Sequence, residues 1–331
     1  MVRKEKKKKP GVHIFVTFLF IAIALVYIFL GNHHLFEKEN DNLSFLKMTS
    51  DSSDDRAAPL PPSKEPDLTV SISPDELNSS NAILMRLTDD TVLMQKNSEE
   101  KIYPASLTKM MTAIVVIENA ADLEEKIELS NSIFQGLYEA DASMAGFQPG
   151  EQVKAIDLLY GAMLPSGAES CIGLADWIAG SEQNFVKMMN QKATDLGMDN
   201  THFENATGLH NENHYTTVKD LAVLLSYALQ NDTFREIFTS PRHATPPTNK
   251  HPDGITFYNT MFKELNNQNI IGGEILGGKT GYTNEAGLCL ASLAKVDRHE
   301  YILISAGAKG DHHSEQYHIT DALAVYNRIG K

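Results

Sequence analysis

The sequence predicts an α/β fold in which helices flank a central, mostly antiparallel sheet. Three observations carry this expectation. Strand-like apolar runs stand near Asn81 and again close to the end of the chain, between Leu288 and Ala306. Helix-like segments fill the interval between them. The 331 residues, 42% of them hydrophobic, suffice for one large domain or two small ones with a full core. No internal repeat is visible in the sequence.

The chain opens on a basic tail, residues 1–11, carrying Arg3, Lys4, Lys6, Lys7, Lys8 and Lys9. An apolar run of 19 residues, Val12 to Leu30, follows with no formal charge. That is the length needed to cross a bilayer as a helix. The basic flank is expected to stay cytoplasmic and the rest to lie outside the cell membrane, as a single-pass protein. Phe29-Leu30-Gly31-Asn32-His33-His34 offers no Ala-x-Ala site, so an uncleaved signal anchor is expected rather than a cleaved signal peptide. Residues 31–67 read as a disordered linker, polar at Asp51-Ser52-Ser53-Asp54-Asp55 and proline-rich at Pro59-Leu60-Pro61-Pro62-Ser63. It would hold a folded domain, residues 68–331, away from the bilayer.

From Asn81 the elements follow in order. Ala82–Leu87 and Thr91–Gln95 read as a hairpin across Thr88-Asp89-Asp90. Ser106–Asn119 reads as a helix rich in Met, Ile and Val, entered just after Pro104. Ile156–Leu164 and Glu169–Ile178 are helical, broken by Pro165-Ser166-Gly167. Asn184–Gly197 and Lys219–Leu229 are two more helices, the first stopped by Gly197. Leu288–Ala294 and Tyr301–Ala306 read as a second hairpin across Lys295–Glu300. A helix from His313 to Ile329 is expected last, with His312-His313 as its exposed start.

Charge and rare residues narrow the function. The net charge is −14; residues 1–10 hold six positive charges and Glu5, so the remainder carries −19. An outer part this acidic argues against a nucleic-acid partner. Cys171 and Cys289 are too few for a disulfide framework and are expected as buried free thiols. His210 and His214 bracket Glu212 but lack the H-E-x-x-H order, so a hydrated loop is expected there and no metal.

Two short motifs carry chemistry. In Ser106-Leu107-Thr108-Lys109 the serine and the lysine stand three apart and can share one helix face. A serine hydroxyl is a poor nucleophile until a base activates it. Lys109, followed by Met110 and Met111, is placed to be desolvated, which lowers an amine pKa and frees it to accept the Ser106 proton. Lys279-Thr280-Gly281 supplies a cation, a hydroxyl and a residue with no side chain to obstruct a ligand, a seat for a carboxylate. This chemistry requires no cofactor. Alone each motif is weak, whereas their pairing in this order is informative.

The wording around these motifs adds a resemblance. Pro104–Ala113, Phe203-Glu204-Asn205-Ala206-Thr207-Gly208-Leu209 and Gly278–Thr283 followed by Ala286-Gly287 resemble the serine-type D-alanyl-D-alanine carboxypeptidases, low-molecular-mass penicillin-binding proteins of peptidase family S11. The resemblance runs from about Asn81 to the end of the sequence. It implies a β-lactamase/transpeptidase-like fold, with a helical subdomain holding Ser166. It implies that Ser106 is acylated, that Lys109 and Ser166 move protons, and that Lys279, Thr280, Gly281 and Tyr282 hold substrate. The oxyanion would be held by the backbone N–H groups of Ser106 and Tyr282, donors worth about 3–4 kcal/mol each. The implied substrates are peptidoglycan stem peptides ending in D-Ala-D-Ala, and β-lactam antibiotics such as penicillin are the implied covalent inhibitors. Many relatives carry a second, β-rich domain and a C-terminal amphipathic anchor. Neither is expected here, the N-terminal segment replacing the anchor. Asn205–Leu209 is expected to be scaffold near the cleft.

One position departs from the family pattern of Ser-x-Asn. The matching run is Ser166-Gly167-Ala168, and the Ala168 side chain cannot hydrogen-bond. Glu169 is the candidate substitute, although consecutive helical residues point about 100° apart. Two other function classes stay open. A β-lactamase shares both motifs, but no Ser-Asp-Asn is present. A weakly catalytic penicillin-binding or sensor protein would suit Ala168, but the tail of about eleven residues has no room for a signalling domain.

Overall fold

Five antiparallel strands of 6 to 11 residues and one short edge strand build the central sheet. They are β1 (Asn81–Arg86), β2 (Thr91–Lys96), β7 (Asn269–Ile270), β8 (Gly273–Thr283), β9 (Gly287–Val296) and β10 (His299–Ala308). The spatial order is β2-β1-β10-β9-β8-β7, so the first hairpin closes on the last strand, with Asn81 opposite Ala306 and Arg86 opposite Tyr301. Two small ribbons, β3 (Lys126–Glu128) with β4 (Gln152–Lys154) and β5 (Arg242–Ala244) with β6 (Thr256–Tyr258), stand apart from it. The computed structural model describes residues 71–265 and 267–329. The expected basic tail, membrane helix and linker therefore lie outside the described residues. Among the described residues no helix is long and apolar enough to cross a membrane.

Successive strand residues face opposite sides of a sheet. Ile83, Ile302 and Ile304 pack into one core, and Leu84, Tyr301 and Leu303 into another. Both faces are covered, so these strands read as unbroken apolar runs rather than the alternation of a half-solvated antiparallel sheet.

Helix α1 (Thr108–Asn119) is buried at every position from Thr108 to Val116. A helix apolar all round belongs in a core, and burying a side chain such as Met110 stabilises by about 1.5–3 kcal/mol. Around it lie α2 (Ala155–Met163), α3 (Ala168–Ala179), α4 (Glu182–Asp195) and α5 (Val218–Ala228). Ser181 and Thr217 cap α4 and α5 by accepting from Asn184 N and Asp220 N. The sequence reading missed α6 (Asp232–Thr239). Its signals were the Asn231 cap and the buried Phe234, Ile237 and Phe238 at helical spacing. The side chain of Asn259 caps the short α7 (Thr260–Glu264) and donates through Nδ2 to Gly278 O at 2.9 Å, which ties α7 to β8.

Among the boundaries that differ from expectation, three bear on the site and the sheet. Ser106 stands in a 3-10 turn, Ala105–Leu107, ahead of α1 rather than inside it. The last hairpin turns on Asp297-Arg298 alone, with Asp297 at φ 53°, because pairing extends to Val296 and His299. The final helix, α8, spans Tyr317–Tyr326 instead of His313–Ile329. Asp311 Oδ1 accepts from His313 N and Ser314 N, closing a turn that competes with the helix.

Candidate active site

The turn carrying Ser106 is bent by Ala105, a non-glycine residue at φ 46°. Such left-handed backbone is costly and persists where neighbours over-determine it. The turn presents Ser106 at the head of α1. Lys109, one turn on and 2% exposed, donates through Nζ to Ser106 Oγ at 2.9 Å and to Thr207 O at 2.6 Å.

That second contact explains the Asn205–Leu209 segment. Asn205 Oδ1 accepts from Thr207 N (3.1 Å), Thr207 Oγ1 (2.9 Å) and Gly208 N (2.8 Å), folding a tight loop. Glu182 Oε1 accepts from Ala206 N and Thr112 Oγ1 donates to Ala206 O, anchoring the loop to α4 and α1. The loop aims a carbonyl at Lys109, and its Thr207, Gly208 and Leu209 also line the cleft. Gly208, at φ 82°, lies flat against the nucleophile turn. A Cβ on it would stand 1.9 Å from Ala105 O and 3.0 Å from Ser106 N.

The opposite wall is β8, whose pairing with β7 ends at Glu274, leaving its later half along the cleft. Lys279, fully buried, donates through Nζ to Ser166 Oγ at 2.9 Å and to Thr280 O at 2.8 Å. Thr280 Oγ1 lies 2.6 Å from Thr260 Oγ1, the two hydroxyls sharing a hydrogen bond. Gly281 runs so close to the turn that a Cβ there would meet Ser106 N at 3.1 Å. Ser166, between α2 and α3, is held at φ 69°, a second left-handed non-glycine residue at the site.

Ala168 begins α3 and offers the cleft no hydrogen bond through its side chain. Glu169 does not take over that role. Its Oε1 accepts from Ala145 N, Gly146 N and Phe147 N at 2.7–3.3 Å, pinning the loop that brings Ser143 to the cleft. Burial pushes the Glu169 carboxyl pKa up, against those three N–H groups.

The two amines share a problem. Burial pushes Lys109 below the ordinary amine range, opposed first by Cys171 and then by the carboxyl of Glu169. Burial pushes Lys279 down further, and the charge on Lys109 adds to the effect. Among the described residues neither forms an ion pair. Two buried amines without a carboxylate favour the free base. A neutral Lys109 that donates to Thr207 O can turn its lone pair to Ser106 Oγ, 2.9 Å away, so that the hydroxyl donates to the amine instead.

The two histidines have separate partners. His214 Nδ1 accepts from Glu204 N, so Nε2 carries the hydrogen and donates to Thr108 Oγ1 at 2.9 Å. Burial pushes the His214 pKa down to about 4. His210 instead stacks edge-on against Tyr103 and faces Glu285 at 3.8 Å. Among the described residues no group of three or more His, Cys, Asp or Glu could hold a metal ion. Cys171 and Cys289 are both buried and free, with burial raising each thiol to about 12.

Two lobes of one cleft meet at Ser106, Ser143, Tyr282 and His312. The first, of ≈ 190 Å³, adds Ser166, Thr280, Gly281, Gln316 and His318. The second, of ≈ 240 Å³, adds Lys109, Asp141, Ala168 and Thr207. The structure thus gathers all seven expected residues, Ser106, Lys109, Ser166, Lys279, Thr280, Gly281 and Tyr282, around one cleft. Sequence reading missed Ser143, Thr207, Thr260 and His318. Only Thr207 had a signal, inside a segment already singled out.

The D-alanyl-D-alanine carboxypeptidase family model matches residues 68–310. Among curated relatives, the D-alanyl-D-alanine carboxypeptidase DacF of Bacillus subtilis is 35% identical over 234 residues, 70% of this chain and 57% of the relative. DacC of Escherichia coli is 33% identical over 243 residues, 69% of this chain and 56% of the relative. The chain thus spans little more than half the length of these relatives. Among solved structures, the Streptomyces K15 DD-transpeptidase superposes with a TM-score of 0.68 at 27% identity, covering 76% of this chain and 97% of that one. The antiparallel sheet with its helices is therefore the transpeptidase fold.

Proposed function

The chain belongs to the D-alanyl-D-alanine carboxypeptidase family, and from its cleft we propose that it removes the terminal D-alanine of peptidoglycan stem peptides through an acyl-enzyme on Ser106. The observation that carries this is the 2.9 Å contact between Lys109 Nζ and Ser106 Oγ, in a cleft whose other wall holds Lys279 against Ser166. Neutral Lys109 takes the Ser106 proton as Oγ attacks the carbonyl carbon between the two D-alanines. The tetrahedral oxyanion is held by the backbone N–H groups of Ser106 and Tyr282. Collapse breaks the C–N bond, and the proton taken up by Lys109 passes through Ser166 Oγ, itself hydrogen-bonded by Lys279, to the leaving amine, which leaves Lys109 neutral again. Water then attacks the ester with Lys109 again as base, returning the proton to Ser106 Oγ. The Thr280 hydroxyl, in the wall of the smaller lobe, hydrogen-bonds the carboxylate of the leaving residue. Penicillin enters by the same acylation and is held by Ser106.

Residues 12–30 anchor the chain in the cell membrane and residues 31–67 space the domain from it, on the extracytoplasmic face. The uncharged run of 19 residues behind six basic residues supports this. Removing residues 1–30 should release the protein from the membrane fraction.

The deciding experiment treats the purified full chain with labelled penicillin and, separately, with a peptide ending in D-Ala-D-Ala. A covalent adduct on Ser106, absent in Ser106→Ala, and release of free D-alanine are expected. A folded protein that takes up penicillin but releases no D-alanine would defeat the proposal.

A further inference from the structure

His318, in the first turn of α8, is 1% exposed yet lines the smaller lobe with Ser106, Ser166 and Thr280. Its Nδ1 is sealed from solvent with no hydrogen-bond partner. Among the described residues Nε2 also has no protein partner, and it is not among the sealed, unpartnered atoms. Nε2 is therefore the nitrogen that the cleft can reach. Asp321, on the same helix, is already engaged, accepting from Asn78 and Ser79. An unpartnered buried polar atom costs about 1–3 kcal/mol, so an imidazole here is a poor choice for packing alone. Burial holds its pKa down, at about 4, so near neutrality the ring is uncharged and offers one N–H.

The lobe itself has an assignable role. The leaving amine must meet Ser166, and Ser166 lines the smaller lobe, whereas Lys109 and Thr207 line the larger. The smaller lobe therefore takes the leaving residue, and its ≈ 190 Å³ suits a small one. The carboxylate of that residue lies one residue beyond the scissile carbonyl, ~3.8 Å along the chain. Lys263 and Glu264, opposite in charge and adjacent in sequence, both line the lobe, whose lining contains no arginine. The N-terminal end of α8, with Gln316 and His318 in the lining, adds the positive end of a helix dipole.

We propose that His318 determines specificity for a free terminal carboxylate, its Nε2–H donating to that group beside the Thr280 hydroxyl. This rests on the carboxypeptidase reading given above. The test compares the full chain with His318→Phe and His318→Leu, which remove every donor, and with His318→Gln, which keeps an N–H. Each is assayed on one peptide ending in D-Ala-D-Ala and on the same peptide ending in the C-terminal carboxamide. The unaltered protein should prefer the free acid. In the donor-less variants that preference should fall on the order of ten- to a hundred-fold, the size of a lost hydrogen bond to a charged group. The loss should appear mainly in KM, with partial rescue in His318→Gln. An undiminished acid preference in either folded donor-less variant would overturn the proposal, as would equal losses of kcat on both peptides. If the unaltered protein turns over neither peptide, the carboxypeptidase reading itself fails.

Discussion

Gly208→Ala probes the nucleophile turn from outside the chemistry. The added methyl would stand 1.9 Å from Ala105 O and 2.4 Å from Ala105 C. A carbon and a carbonyl oxygen approach comfortably only to about 3.3 Å, so the two backbones must part by more than an ångström. Neither partner can yield by rotating a side chain, since the clash is with main chain. Asn205 holds Gly208 N and Thr207 N on one side, and Gly281 crowds the turn on the other. Alanine at φ 82° adds roughly 1–2 kcal/mol of backbone cost. A misplacement of about 1 Å at a reacting centre can cost 10²-fold. The expected outcome is a fall of about 10²-fold or more in the rate of Ser106 acylation by labelled penicillin, with a lower Tm. Gly281→Ala is the internal comparison. Its methyl would meet Ser106 N at 3.1 Å and Ala105 Cβ at 3.3 Å, overlaps of tenths of an ångström, so its loss should be the smaller. Gly208→Ala acylating at the unaltered rate, or less affected than Gly281→Ala, would refute the account of the turn.

Acylation should weaken as pH falls through the depressed Lys109 pKa, because only the free base accepts the Ser106 proton. Glu169→Gln keeps an acceptor for the Ala145–Phe147 amides and removes the carboxyl that opposes Lys109 neutrality, so the acid limb of the rate–pH profile should move to lower pH. Glu169→Ala should instead unfold more readily, by about 3 kcal/mol in urea titration, because it strands three amides. Lys279→Met should abolish turnover without lowering the Tm, since it removes an amine buried without a carboxylate. His214 and His318 both sit at about 4 in the folded chain, below the ordinary 6.5. The unfolded chain therefore binds protons first, and stability complete above pH ~6.5 is lost as pH falls toward 4. Each contributes up to about 3 kcal/mol to that loss. Urea midpoints at pH 7 and 4.5 measure it, and a flat profile would contradict the burial of both rings.

Ser106 with Lys109, and Lys279 with Thr280 and Gly281, were legible because the chemistry fixes residue types at short offsets, and a helix turn or a strand converts offset into direction. The apolar runs of β1, β9 and β10 were legible because both faces of the sheet are buried. The start of α8 was not, since the side-chain turn at Asp311 competes locally with the helix signal, and α6 was not, since its eight residues give too short a window for the helical period to stand out. What tertiary structure alone decided is which distant groups meet. Thr207 O reaches Lys109 across 98 residues, and Ser166 reaches Lys279 across 113. Glu169 was a candidate neighbour for the cleft by sequence, yet it serves a loop more than twenty residues upstream. The sequence determined that a lysine-activated serine and an anion seat exist in this chain. The fold decided that both lysines lose their water, because pKa depends on surroundings assembled from the whole chain, and it placed His318 in the wall beside them.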